Sequence, residues 1–163
     1  MLSLVVKDFF ADFLAQKLPK DRNRGTIAAM RHVFLVGLSG SGKSTVGRIL
    51  AQRLMRPLID LDALIENEYG ARIPTIVDRH GEEYFRNLES NILARAAQQA
   101  KSAIIATGGG IIIRPENRAL MAELGVRVYM RIEPEEALER LQAQYSREIS
   151  LGLTPELRPM ISG

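Results

Sequence analysis

The 163-residue chain contains no cysteine, which excludes disulfides, thiolate metal sites and cysteine nucleophiles. It contains no apolar stretch near the roughly 20 residues that a membrane-spanning helix needs, so no membrane partner is expected. Internal repeats and low-complexity tracts are absent. There are two histidines, His32 and His80; both lie away from the motifs below and read as structural or solvated. A strong excess of either charge is also lacking. Lysine and arginine number 22 against 19 aspartates and glutamates, a net charge of +3 with a pI near 9.4. The basic residues are scattered rather than clustered, which argues against nucleic acid and fits a small polyanionic ligand.

What remains is an ordinary globular composition, 46% hydrophobic and 25% charged, long enough for one domain with a real core. The start, Met1 to Leu18, is rich in apolar residues, but Lys7, Asp8 and Asp12 interrupt it. It therefore lacks the clean apolar centre of a signal peptide, and it lacks the arginine- and serine-rich, acid-poor character of a transit peptide. It reads as an amphipathic helix, followed by the polar breaker Leu18 to Gly25. Residues 1–31 are expected to be an N-terminal extension and 32–163 the main domain. Met30 would make a natural start for that domain. With no export signal, a cytoplasmic location is expected.

The run Gly37-Leu38-Ser39-Gly40-Ser41-Gly42-Lys43-Ser44 matches G-x-x-x-x-G-K-[ST], the phosphate-binding loop of nucleoside-triphosphate enzymes. The apolar, β-branched run Val33 to Val36 precedes it, and Val46, Ile49, Leu50 and Leu54 mark a helix face after it. Strand, glycine loop and helix together aim backbone N–H groups and a helix N-terminus at one anion. Gly40, Ser41, Gly42, Lys43, Ser44 and Thr45 are the nucleotide-binding candidates, with Lys43 directed at the β- and γ-phosphates and the Ser44 hydroxyl at Mg²⁺.

Downstream, Pro57 to Asp62 reads as a short strand ending in two carboxylates, with Asp62 placed to cap a helix that Gly70 closes. Pro74 opens a short helix ending near Gly81, and a longer helix spans about Glu82 to Gln99. Ala103 to Ala106 reads as a buried strand, Pro115 to Gly125 as a helix, and Val126 to Ile132 as a strand. A helix then runs from Pro134 to about Gln144, and Tyr145 to Gly163 reads as a long loop of the kind that often forms a lid. Alternating strands and helices imply a parallel sheet covered on both faces, a three-layer α/β/α fold. Its ligands bind at the carboxyl ends of the strands, where the phosphate loop, the aspartate pair and Gly108-Gly109-Gly110 should converge.

Asp60 and Asp62, two apart on a strand, should share a face, one carboxylate serving Mg²⁺ and one the acceptor hydroxyl; the blander alternative is a helix cap and a solvated acid. Arg86 and Glu89, three apart on a helix, are either a surface ion pair or an anion-binding arginine held by its glutamate. Three consecutive glycines carry a cost in backbone entropy that is normally offset by something approaching the main chain. Arg158 and Arg147 in the tail are candidates to reach a transferring phosphate.

The ordered set of phosphate loop, Asp60-Leu61-Asp62, Glu83-Tyr84-Phe85-Arg86 with Glu89, Gly108-Gly109-Gly110 and Arg158-Pro159-Met160 resembles the shikimate kinase family, over roughly residues 32–161. The resemblance implies a P-loop kinase of the nucleoside-monophosphate-kinase type, monomeric, transferring the γ-phosphoryl group of ATP to the 3-hydroxyl of shikimate in aromatic amino acid biosynthesis. It implies that Ser44 and Asp60 hold Mg²⁺, Asp60 through water. Asp62 would orient or deprotonate the nucleophile, Arg86 would bind the shikimate carboxylate, and the Gly108–Gly110 run would offer N–H groups to shikimate. Arg140 would lie against adenine, and Arg158 would be the lid arginine. The stretch from Arg140 to Arg158 is longer than the family's lid. The resemblance also implies a further helix, strand and helix after the lid motif, so the domain is expected to lack the family's C-terminal part. A gluconate-type kinase and a non-catalytic ligand-sensing domain of the same fold are the alternatives.

Overall fold

A computed structural model of the chain describes residues 32–151. The expected amphipathic N-terminal segment, Arg158 and the remainder of the tail lie outside the described residues.

Among the described residues, four strands form one parallel sheet in the order β2-β3-β1-β4. Strand β1 spans His32–Val36, β2 Leu58–Asp60, β3 Ala103–Ala106 and β4 Gly125–Tyr129. All residues of β1 and β3 are buried, as two-sided packing of central parallel strands demands. Their register pairs Val33 with Ile104 on one side and with Val126 on the other. The helices are α1 (Lys43–Leu54), α2 (Leu61–Tyr69), α3 (Ile73–His80), α4 (Glu82–Gln99), α5 (Pro115–Leu124) and α6 (Pro134–Ser150), with a single 3₁₀ turn at Ile111–Ile113.

The two faces of the sheet carry separate apolar clusters. One gathers Phe34, Ile105, Leu61, Ile65, Ile76, Ile92, Leu93 and Met121 beneath α2 to α5. The other sets Val46, Leu50 and Ala51 of α1 against Val33, Leu35 and Ile104. This is the three-layer arrangement the sequence predicts. Each fully buried large side chain contributes about 1.5–3 kcal/mol. His32 is wholly buried and structural, as expected: Nε2 donates to the Ala97 carbonyl at 2.8 Å, and Nδ1 accepts from the Ala103 amide at 3.2 Å. It thereby stitches α4 to the start of β3. His80 is exposed and bonds Tyr69.

Several expected boundaries shift. Strand β2 stops at Asp60, because the chain turns into α2 there; β4 stops at Tyr129 rather than Ile132. Helix α5 passes into β4 with no loop, and Gly125 makes this possible: a Cβ there would collide with the His32 carbonyl oxygen. Helix α6 continues to Ser150, so 145–150 is helix and not loop. Nothing between Pro134 and Gly152 breaks a helix, and Glu135 and Glu136 suit its first turn.

Candidate active site

The phosphate loop joins β1 to α1, and its glycines take left-handed conformations that other residues rarely adopt, with φ of 82° at Gly40 and 88° at Gly42. The loop is closed by the Ser41 amide donating to the Leu38 carbonyl at 3.1 Å. Lys43 is buried and donates to the carbonyls of Gly37 at 2.8 Å and Leu38 at 2.7 Å. Burial lowers its pKa, an effect opposed by the nearby charges of Asp62 and Asp60. This is a cradle of backbone N–H groups with a cation folded across it, suited to a polyphosphate.

The cradle opens into a cavity of about 1070 Å³. Its walls include Gly40, Gly42, Lys43, Ser44 and Thr45, then Asp60, Asp62 and Thr107, and on α6 Arg140, Gln144 and Arg147. The phosphate loop and the aspartate pair therefore do meet at the carboxyl ends of the strands. Arg140 also touches the loop, its Nη1 donating to the Gly40 carbonyl at 3.3 Å, while Nη2 bonds Glu136.

The route by which the two aspartates meet differs from the expectation. They do not share a strand face. Asp60 is the N-cap of α2, its Oδ1 accepting from the Ala63 amide at 3.3 Å, so it is Asp60 and not Asp62 that caps the helix. Asp62 sits in the first turn of α2. It emerges as the perturbed acid of the site, with a pKa raised from 3.8 to about 6 by burial, with additions from the charges of Asp60 and Glu89 that Lys43 only partly offsets.

Beside Asp62 lies the second group. Arg86 donates from Nη1 to Glu89 Oε2 at 2.9 Å and from Nη2 to Glu82 Oε1 at 2.7 Å. The Glu89 carboxylate is buried, and burial raises its pKa against the pull of the Arg86 hydrogen bond. The pair is thus no surface ion pair. Arg86 and Gly108–Gly110 are not in the wall of the large cavity but adjoin it through Asp62.

The glycine run has a role the sequence shows only in outline. What approaches its main chain here is the protein's own side chains. A Cβ on Gly108 would lie 2.9 Å from Asp62 Oδ1 and collide with Glu89 Oε1; one on Gly109 would lie 2.8 Å from Ser39 Oγ; one on Gly110 would collide with the Arg86 guanidinium. The run draws Asp62, Glu89, Arg86 and the phosphate loop together. Thr107 precedes it, buried, its hydroxyl donating to the Leu35 carbonyl at 3.0 Å.

Other residues around the site have no motif. Arg72, between α2 and α3, lines the large cavity. Arg114 bonds Asn87 Oδ1 at 2.7 Å and Glu83 Oε1 at 2.8 Å, fixing the chain after the glycine run to the helix that carries Arg86.

The donor set also fits a magnesium ion. Ser44 and Asp60 face the same cavity, and the N-cap bond occupies only one Asp60 oxygen. A hydroxyl and a carboxylate are hard oxygen ligands of the kind Mg²⁺ takes together with substrate phosphates.

Comparison with known proteins gives the family. A sequence profile of the family described as Shikimate kinase matches residues 39–158. The shikimate kinase of Burkholderia thailandensis is 45% identical over 118 residues, covering 72% of this chain and 64% of the relative. That of Symbiobacterium thermophilum is 42% identical over 132 residues, covering 81% and 70%. Among solved structures, shikimate kinase from Acinetobacter baumannii in complex with shikimate superposes with a TM-score of 0.68 at 36% identity, covering 75% of this chain and 68% of that one. The Aquifex aeolicus enzyme gives 0.63 at 37% identity, covering 67% and 64%. The matched chain thus spans 64% of the length of the Burkholderia relative. With the profile covering most of the chain, and the loop, the aspartate pair and the arginine–glycine cluster in place, the chain belongs to the shikimate kinase family.

Proposed function

We propose that the protein transfers the γ-phosphoryl group of ATP, as its Mg²⁺ complex, to the 3-hydroxyl of shikimate, yielding shikimate 3-phosphate and ADP for aromatic amino acid biosynthesis. The observation that carries the proposal is the position of Asp62. This half-buried acid, with its pKa near 6, stands between the phosphate cradle and the Arg86–Glu89 pair. A hydroxyl presented to Asp62 lies on the path from the cradle, and a carboxylate on the same small molecule falls to Arg86.

Gly40, Ser41, Gly42 and Thr45 surround the phosphates, and Lys43 turns from its own carbonyls to the β- and γ-oxygens. Arg140, already on the loop, flanks the base. Ser44 and Asp60 hold Mg²⁺, which when bound neutralises charge on the β- and γ-phosphates. The acceptor oxygen forms its bond to the γ-phosphorus as the bond to the β–γ bridging oxygen breaks, and its proton passes to the Asp62 carboxylate. Arg86 fixes the acceptor by its carboxylate, and the Gly108–Gly110 amides complete that pocket. Such a reaction needs positioning and charge stabilisation more than covalent help from the protein. Arg158, outside the described residues, is the lid arginine in this reading. The domain is 32–163, with 1–31 an extension, and the enzyme acts as a cytoplasmic monomer.

The solved Acinetobacter relative that binds shikimate favours this acceptor. A coupled ADP-release assay on the full chain, with Mg²⁺ and ATP and with shikimate, gluconate or no acceptor in parallel, tests it. Release should depend on shikimate alone. Equal release with gluconate, or none with shikimate, overturns the proposal.

A further inference from the structure

Helix α6 roofs the cavity, yet the apolar core does not hold it there. Of its residues with described side chains, Ala137 alone is buried. Its N-terminal half leans on the phosphate loop: a Cβ on Gly40 would come within 2.8 Å of the Ala137 carbonyl oxygen and 3.3 Å of Leu141 Cγ, and Arg140 bonds the Gly40 carbonyl. Eight residues further on, about 12 Å along the axis, the C-terminal half meets the opposite rim of the cavity through Arg72. Arg72 Nη2 lies 3.5 Å from Glu148 Oε2.

Arg72 is well placed for this. It occupies the N-cap position of α3 but makes no capping bond with its side chain. Glu66 does the capping instead, its Oε1 accepting from the Ile73 amide at 2.9 Å, and the same oxygen lies 3.2 Å from Arg72 Nε. The stem of the guanidinium is thus steadied from α2 while its far end crosses to α6. Glu148 is steadied in turn, its Oε1 accepting from Gln144 Nε2 at 2.9 Å. Arg72, Gln144 and Arg147 all line the cavity that holds Lys43 and Ser44.

We propose that Arg72 is a positioning residue whose ion pair with Glu148 latches α6 across the mouth of the phosphate cavity, setting the rate at which a bound nucleoside triphosphate escapes. The inference rests on the nucleotide reading of that cavity given above. Arg72 acts through Glu148 and α6; it does not touch phosphate.

A double-mutant cycle on the full chain tests it, with Arg72→Gln, Glu148→Gln and the double variant. Hydrogen exchange of the α6 amides reads the latch without any ligand. Each single variant should exchange about two- to five-fold faster, as for one partly exposed ion pair, the double variant no faster than either single, and Arg72→Lys should restore most of the protection. The dissociation rate of a fluorescent N-methylanthraniloyl ATP with Mg²⁺ should rise by the same factor in both singles. A silent Glu148→Gln beside a fast-releasing Arg72→Gln places Arg72 on the phosphate and overturns the latch, as do exchange factors that multiply in the double variant. If the unaltered chain binds no nucleotide, the proposed function fails, while the exchange measurement still decides whether the latch exists.

Discussion

Replacing Asp62 with asparagine should make the protein inactive and more stable. The carboxyl is held at a pKa of about 6 rather than 3.8, chiefly because it is buried and also because Asp60 and Glu89 stand nearby; the attraction of Lys43 is already included in that balance. The interval is worth about 3 kcal/mol at 1.36 kcal/mol per pH unit. Below about pH 3 the group is protonated in both the folded and unfolded chain and contributes nothing. As pH rises from about 3 to 6 the unfolded chain releases its proton while the folded one retains it, so stability falls; above about 7 the penalty is constant. Asparagine has nearly the same shape and no charge to strand. Urea unfolding of both proteins at pH 3, 4, 5, 6, 7 and 8 should therefore give matching midpoints at pH 3 and a gap that opens to about 3 kcal/mol by pH 7. In a thermal scan at pH 8 the gap should be roughly 6–12 °C. Shikimate-dependent ADP release should vanish. A variant no more stable than its parent at pH 8, or one equally stabilised at pH 4 and pH 8, would refute the claim that this carboxylate is strained by its surroundings.

Other outcomes follow from the same geometry. The pH profile of kcat/KM should fall on the acid side with a midpoint near 6, since proton acceptance requires the Asp62 carboxylate; a midpoint near 4 would show an unperturbed acid. Arg86→Ala should raise the KM for shikimate about 10- to 100-fold, the loss of a charge-assisted contact, and should also lower Tm, because buried Glu89 loses its partner. Adding Glu89→Gln should recover the Tm but not the KM. Gly108→Ala should cost about 1–3 kcal/mol of stability and most of the activity, because the new methyl displaces the carboxylates of both Asp62 and Glu89; urea unfolding and the coupled assay check the two halves.

The legible parts of the fold were those with local chemistry. Glycine spacing and the lysine mark the phosphate loop, Pro74 and Pro115 open helices, and Gly70 closes one in the left-handed conformation at φ 73°. The Arg86–Glu89 pair was readable from its spacing of three. That Glu89 is buried beneath Arg86 was not, because this depends on Gly108 and Gly110, 19 and 24 residues from Glu89 and Arg86, leaving room for both side chains. The two aspartates do meet at the cavity, but not by alternation, which does not survive a strand that ends at the first of them. The length of α6 was underestimated because a polar run without proline or glycine reads equally well as helix or loop. Arg72 had no local signal, since its partner Glu148 lies 76 positions away.

The posture of Lys43 changes how affinity at this loop should be understood. Its ammonium already holds two carbonyl oxygens of the loop that phosphate would enter. Arrival of a polyphosphate is therefore an exchange of acceptors, in which neutral oxygens are surrendered for charged ones, and only the difference appears as binding. Arginine would be a poor substitute on that ground alone. A rigid planar fork cannot swivel between two carbonyls six and five residues behind it and an incoming phosphate, as a single ammonium on a flexible stem can.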